Sequence, residues 1–417
     1  MTNERGLVVQ SVVVIILTLA VVIALLHRKI EIGHAMLAGS LLLTVLTLSP
    51  PLAFVNSVVA TALHPNTWEI LIALYFVMCL EYQLRTSGLL DDVMAAARAK
   101  LISDKMLLAG MPAFLGFLPS IGGALFSAPM VDNASRRYNM TPEQKTAVNY
   151  WFRHIWEYVN PINPGLLLAG QITGIMLPLL IQTMAGFVVG AIAIGWLVCL
   201  AGVKESAEPP PVEANDETAC QFVAPRRSLN PFLFTAGPIL LNIFFVVALH
   251  LAASLSMTIV VALMMVVLRQ GPSEIMAMLR HGMDRKLLWG IASVLLFQRV
   301  LQDTAVLNGV VRLLDAYPVS PLIVAGALAF AGGLLTGSSS GFVALAMPII
   351  VVLSPGDVSA VAVGFILGTA GQMLSPMHMC FLVSIRYFGA DFAGSMRPIA
   401  VMEAMMVGMV LLRYGFF

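Results

Sequence analysis

The chain has 417 residues, of which 59% are hydrophobic and only 11% charged. Its mean hydropathy is +0.91. Soluble domains carry about 25% charge, so an ordinary soluble enzyme is excluded. A formal net charge of +1, from 23 basic and 22 acidic residues, also excludes a basic nucleic-acid binder. Long continuous apolar runs, without ten-residue alternation, point to a polytopic all-α membrane protein and not to a β-barrel.

The first run, Leu7–Leu26, has the length of a spanning helix. It ends directly in His27-Arg28-Lys29, without the small-residue cleavage site of a signal peptide. Further spans are predicted at 31–49, 68–89, 141–165, 166–200, 232–251, 254–269, 288–305, 357–386 and 396–414. Pro50–Trp68 reads as a loop without basic residues. Cys79, Cys199, Cys220 and Cys380 show no metal-ligand spacing and read as small hydrophobes.

Two apolar stretches are too broken for simple spans. Residues 106–137 are interrupted at Pro112, Gly116, Pro119, Gly122, Gly123 and Pro129, and residues 320–355 at Gly332, Gly333 and Gly337-Ser338-Ser339-Ser340-Gly341. Both are read as re-entrant hairpins whose irregular tips must be buried in protein or line a watery cavity. The one hydrophilic stretch, 203–230, carries five acidic residues, Pro209-Pro210-Pro211 and Arg226-Arg227. It reads as a solvated linker. With basic loops placed in the cytoplasm, the chain has ten spans and both termini outside.

The halves align in order. Glu157-x-x-Asn160-Pro161-x-Asn163 matches Gln372-x-x-Ser375-Pro376-x-His378 at an offset of 215 (372 minus 157), and Gly174 matches Gly389 at the same offset. Gly122 and Pro129 match Gly341 and Pro348 at 219 (341 minus 122). The expected architecture is two inverted-topology repeats, 1–202 and 231–417, of five spans each. Each repeat has a hairpin and a broken helix, at 141–175 and 357–386. Secondary transporters are built this way, with their sites where the breaks meet.

Asn160-Pro161 and Ser375-Pro376 each pair an N-cap residue with a proline suited to the first helical position, with Asn163-Pro164 as a second possible restart. Four helix N-termini then converge near the midplane and favour an anion, and unwound carbonyls offer sites for Na⁺. Packing kinks are the alternative. The candidate substrate and ion ligands are Ser120, Gly122, Gly123, Asn160, Asn163, Thr336, Ser338, Ser339, Ser340, Gly341, Ser375 and His378. Arg153, His154 and Glu157 precede the first break and are the candidates for coupling; His154 and Glu157 share a helix face and are placed to relay a proton. Glu81/Arg85 and Arg299/Asp303 are self-neutralising pairs at i,i+4. Gly337-Ser338-Ser339-Ser340-Gly341 also fits G-x-S-x-G, but no strand precedes it as a nucleophile elbow requires. An intramembrane serine hydrolase with His378 as base stays a remote alternative, as does a channel-like or structural subunit. No P-loop is present, and no enzymatic activity is expected.

Gly122–Pro129, the block Asn149-Tyr150-Trp151-Phe152-Arg153-His154-Ile155-Trp156-Glu157-Tyr158, and Leu374-Ser375-Pro376-Met377-His378 resemble an uncharacterised prokaryotic family of integral membrane proteins. That family is domain of unknown function 401, grouped in the ion transporter superfamily. The resemblance covers nearly the whole chain. It implies an inverted-repeat fold, homodimers in the cytoplasmic membrane, and substrate held between hairpin tips and broken helices. The superfamily includes divalent anion:sodium symporters and citrate, gluconate and arsenite carriers. Dicarboxylate carriers place Ser-Asn-Thr at each tip, whereas here tip one has Ser120 with glycines and tip two has Thr336 and Ser338–Ser340. The expectation is a secondary transporter of a small anionic solute, coupled to Na⁺ or H⁺, with no cofactor other than possible Na⁺.

Overall fold

The computed structural model describes residues 2–28, 30–87, 104–117, 123–205, 231–304 and 320–415, together with 306, 309 and 312. Among them are 18 α-helices and no strand. Three helices, Pro65–Thr86, Leu177–Leu200 with its terminal π turn, and Phe392–Tyr414, are long and apolar enough to cross a membrane. They mark the chain as an all-α membrane protein.

The first helices are α1 (Thr2–His27), α2 (Ile32–Leu46), α3 (Pro51–Leu63) and α4 (Pro65–Thr86). The Pro50–Trp68 loop expected from the sequence is thus mostly helical. Pro51 occupies the first turn of α3 and Pro65 that of α4, where a missing N–H costs nothing. Helices α5 (Asp104–Gly116) and α6 (Gly123–Ser135) are the arms of the first expected hairpin. Its tip, with Ser120 and Gly122, lies outside the described residues, as does most of the 203–230 linker with Cys220.

Helices α7 (Pro142–His154) and α8 (Pro164–Thr173) flank a break; α9 (Leu177–Gly195) then runs into a π turn at Trp196–Leu200. The expected single span 166–200 is therefore two helices. Gly174 ends α8 in the left-handed conformation at φ 69°, a backbone region that glycine enters without strain.

The second part runs α10 (Pro231–Val247), α11 (Ala253–Leu268), α12 (Pro272–Gly282), α13 (Arg285–Asp303), α14 (Pro321–Thr336), α15 (Ser339–Leu353), α16 (Val358–Met373), α17 (Met379–Phe388) and α18 (Phe392–Tyr414). Helices α14 and α15 are the arms of the second expected hairpin; α16 and α17 flank a second break. Gly389 ends α17 as Gly174 ends α8, at φ 64°.

The most extensive helix pairing joins α14 to α16. It depends on absent side chains: a Cβ on Gly333 would strike the Gly368 carbonyl, and one on Gly371 would strike the carbonyl of Phe330. Such close backbone approach through small residues is how membrane helices pack without a hydrophobic drive between them. A large core gathers α7, α8, α9, α13, α15 and α16, and a smaller one forms under α4, α5, α11 and α12.

Candidate functional site

Helix α7 organises the site. Thr141 and Gln144 form a reciprocal capping box at its start, with hydrogen bonds of 3.3 and 3.0 Å. From Thr146 to His154 every residue is buried, although the segment contains Asn149, Arg153 and His154. Buried polar groups are usually paired; Asn149, Arg153 and His154 each find a partner, while Thr146 Oγ1 and Asn149 Oδ1 have none among the described residues. Asn149 Nδ2 donates to Ser384 Oγ of α17 at 2.9 Å and to the Ala124 carbonyl of α6 at 3.2 Å. Tyr150 Oη donates to the Met373 carbonyl at the end of α16 (3.1 Å). Trp151 Nε1 reaches the Ala191 carbonyl of α9 at 2.9 Å, and Arg153 Nη1 the Leu115 carbonyl of α5 at 2.9 Å. Just past the helix end, Trp156 Nε1 donates to the Ala113 carbonyl at 2.8 Å. The tryptophan-rich block that stands out in the sequence is thus the hub on which five helices are hung.

The first restart falls at the alternative Asn163-Pro164, and the second three residues after Ser375-Pro376. Asn160 does not cap a helix: its Oδ1 accepts from Ile162 N at 3.2 Å within the break, and its Nδ2 donates to the Phe117 carbonyl beside the first hairpin tip at 3.0 Å. Ser375 behaves alike, its Oγ accepting from Met377 N at 3.2 Å. Short polar side chains before proline close local turns. The N-caps are Asn163, accepting from Gly165 N and Leu166 N at 2.7 and 3.4 Å, and His378, whose side chain makes no cap bond.

At the second tip, Ser338 caps α15 by accepting from Gly341 N at 3.1 Å, and Thr336 Oγ1 donates to the Gly332 carbonyl at 2.8 Å. Ser339 Oγ donates to Asn163 Oδ1 at 3.3 Å. Gly337 turns at φ 62°, and a Cβ there would stand 3.0 Å from His378 N. The N-termini of α8, α15 and α17 therefore meet at one place. Gly341 is buried and Ser340 half-buried in the same turn, whereas Gly123 opens α6.

Beside this junction the two breaks exchange side chains. Gln372 Nε2 donates to both carboxylate oxygens of Glu157, each at 3.0 Å. Glu157 sits in the turn after α7 and not on the helix, yet its Oε1 stays 3.9 Å from His154 Nε2. His154 Nδ1 lies 2.6 Å from the Tyr150 carbonyl, so Nδ1 carries the proton and Nε2 a lone pair. That Nε2 faces His378 Nε2 at 3.1 Å, and both rings pack edge-on against Tyr150. Cys380, without metal-ligand spacing in the sequence, comes to the same point: one donor atom each from His154, His378 and Cys380 lies within 4.8 Å of the others.

Sequence reasoning missed Glu403. It is 1% exposed on α18, with Oε2 unpartnered among the described residues. It lines a small cavity with His154, Trp151, Tyr158 and Thr369. The signal was available, since a lone acid in a spanning run is a functional candidate by default. The pairs at i,i+4 are more connected than expected. Glu81 binds Arg85 at 3.2 Å and also His281 at 2.9 Å; Asp303 binds Arg299 at 3.0 Å and accepts from Ser57 Oγ at 2.6 Å. A separate polar cavity of about 290 Å³ lies between the end of α8 and the C-terminal half of α13, lined by Gln171, Thr173, Gln298, Arg299 and Gln302, with His64 and Asn66 at its edge.

These features belong to an all-α membrane protein with a polar junction buried between interrupted helices. Residues 9–417 match the family described as protein of unknown function DUF401, and the chain belongs to that family. No curated protein matches it.

Proposed function

We propose that this chain is a secondary transporter of a small anionic solute, coupled to H⁺ or Na⁺ by alternating access, in the cytoplasmic membrane. The observation that carries this reading is the meeting of three helix N-termini, those of α8, α15 and α17, through the Ser339–Asn163 contact and the Gly337–His378 approach. Each contributes amide donors and about half a positive charge. Interrupted helices with their N-termini turned on a buried point are the pattern by which transporters hold anionic groups.

An inverted repeat accounts for the correspondence of the parts. Asn163 and His378, at an offset of 215, both cap the restarted helix; Gly174 and Gly389, at the same offset, both close it in the left-handed conformation. Pro129 and Pro348 both sit within the second hairpin arm. In this reading ten spans carry two hairpins, with both chain ends outside. Rocking of one repeat on the other exposes the junction to alternate sides. The polar cavity near Gln298 is then the outer approach, and His154 with Glu157 supplies the proton-coupling groups.

The test is solute binding and uptake by Gly165→Val. A Cβ on Gly165 would stand 2.5 Å from the Ser339 Cβ and 3.0 Å from its backbone carbon, so the tip must withdraw. Purified wild type should be thermally stabilised by one class among a set of organic and inorganic anions, in a sodium- or proton-dependent manner, and Gly165→Val should lose that response while still inserting. If the variant retains full solute stabilisation and uptake, the junction is not the site. Flux that never saturates with concentration identifies a channel instead.

A further inference from the structure

We infer that His154, His378 and Cys380, with Glu157 as fourth ligand, form a binding site for a single divalent d-block cation of the zinc type, bridging the two broken helices. Two imidazoles face each other at its centre. With the His154 proton on Nδ1, its Nε2 presents a lone pair to His378 Nε2 at 3.1 Å. His378 Nδ1 is buried without a hydrogen-bond partner among the described residues. Either His378 donates its Nε2 proton to His154, or a cation sits between two lone pairs. Two nitrogens each about 2.0–2.1 Å from a tetrahedral zinc stand about 3.3 Å apart. The observed separation is already that of two ligands on one ion.

The remaining donors complete such a set. Cys380 Sγ lies within 4.8 Å of both histidine nitrogens used, and Glu157 Oε1 is 3.9 Å from His154 Nε2. A shift of about 1 Å brings Cys380 to ligand distance, and Glu157, outside that three-residue cluster, swings in from its place beside His154. His/Cys/carboxylate chemistry suits zinc or cobalt(II) and not Na⁺ or Mg²⁺. Coordination deprotonates the thiol outright.

The surrounding groups have the character of a supporting layer. Metal-ligating histidines donate their second nitrogen to a carbonyl or carboxylate, and ligating carboxylates are themselves hydrogen-bonded. His154 donates to the Tyr150 carbonyl, and Glu157 is held by Gln372. Tyr150 packs against both rings, at centroid distances of 4.7 and 5.2 Å. The same ion would link His154 and Glu157 of the first break to His378 and Cys380 of the second, which are otherwise joined by hydrogen bonds alone.

The inference does not rest on the transport reading, because its readout is equilibrium binding. Full-length protein purified in detergent through a tag without histidines is stripped with chelator and titrated with Co²⁺, then with Zn²⁺. The expected result is one cobalt per chain with tetrahedral d–d absorption and a thiolate-to-cobalt charge-transfer band, displaced by one zinc. Cys380→Ser should abolish the charge-transfer band, and His378→Gln should weaken binding by roughly tenfold or more. Cys199→Ser, whose thiol lies elsewhere against Met402, should leave both unchanged. Folded wild-type protein that binds no stoichiometric cobalt overturns the inference, whatever the variants do. So does a charge-transfer band that survives Cys380→Ser.

Discussion

Gln372 holds both carboxylate oxygens of Glu157 through one amide nitrogen, at 3.0 Å each. These two residues occupy the same place in the two halves of the sequence pattern, 215 positions apart. A repeat duplicated without change would set two carboxylates, or two amides, face to face. Two buried carboxylates repel and compete for protons; an amide opposite a carboxylate gives a donor to an acceptor. The asymmetry at this position therefore has a physical reason at the contact itself, and it leaves one carboxylate at the crossing of the breaks.

In the metal-free junction, that carboxylate is the coupling group of the transport reading. Glu157→Gln keeps the shape of the contact while removing its charge. The variant should lose solute accumulation driven by a pH gradient yet retain solute binding and counterflow exchange in proteoliposomes. Accumulation that persists under a proton gradient in the absence of Na⁺ would eliminate proton coupling through Glu157 and leave a sodium gradient as the remaining driving force.

The α14–α16 contact predicts a steric series. On Gly371 a new Cβ meets the Phe330 carbonyl, and backbone cannot swing aside as a flexible side chain can. Gly371→Val should therefore destabilise the protein by about 1–3 kcal/mol, the usual cost of overpacking, read as a lowered thermal transition in detergent. Gly408 on α18 has nothing within 4 Å of such a Cβ; Gly408→Ala should leave the transition where it is or raise it. Equal losses in both would show that the cost does not come from the close approach.

Hydropathy and the Gly/Pro breaks made most helices and both interruptions legible in the sequence, because they reflect local chain chemistry, while α3 reads as loop and α8 with α9 as one span. The exact restarts were not. Asn160-Pro161 and Asn163-Pro164 are both good starts by composition, and only the neighbouring Phe117 carbonyl, which takes Asn160 Nδ2, decides between them. His378 as a cap had no local signal, since imidazole is a poor capping group. The pairing of His154 with His378 joins residues 224 positions apart, and Cys380 joins them only through the fold. Glu403 was visible as a lone acid in an apolar run; what its position meant depended on α18 lying against α7.

The inverted topology predicts opposite accessibility for two exposed positions. Ser57 is unsuitable as a probe site, being buried and bonded to Asp303. Asn66, exposed in the first turn of α4, and Lys204, exposed after the π turn, are better. In a background lacking the native cysteines, Asn66→Cys should react with a membrane-impermeant maleimide from outside intact cells. Lys204→Cys should react only after the membrane is opened. Labelling of both from the same side would exclude the proposed arrangement.

The last prediction concerns the edge of the bundle, where α7 and α18 begin together. Glu143 Oε1 accepts from Asp391 N at 3.1 Å, while Asp391 caps α18 by accepting from Gly394 N at 2.7 Å. The Asp391 amide, followed by the Glu143 amide and the Thr141 hydroxyl, holds the Glu143 carboxyl below its ordinary range. A group whose folded-state value is depressed contributes stability that is fully present above its unfolded value, near 4.3 for a glutamate. That contribution fades as pH falls through the folded value. Glu143 is half-buried at the surface, so the effect is small and screened by salt. Glu143→Gln should lower the thermal transition slightly at neutral pH in low salt. The gap between wild type and variant should close as the pH is taken down through the carboxylate range, and also as salt is added at neutral pH. A gap that stays constant with both would mean that the glutamine fails by shape, and that the charge at the head of α7 does not help to fasten α18.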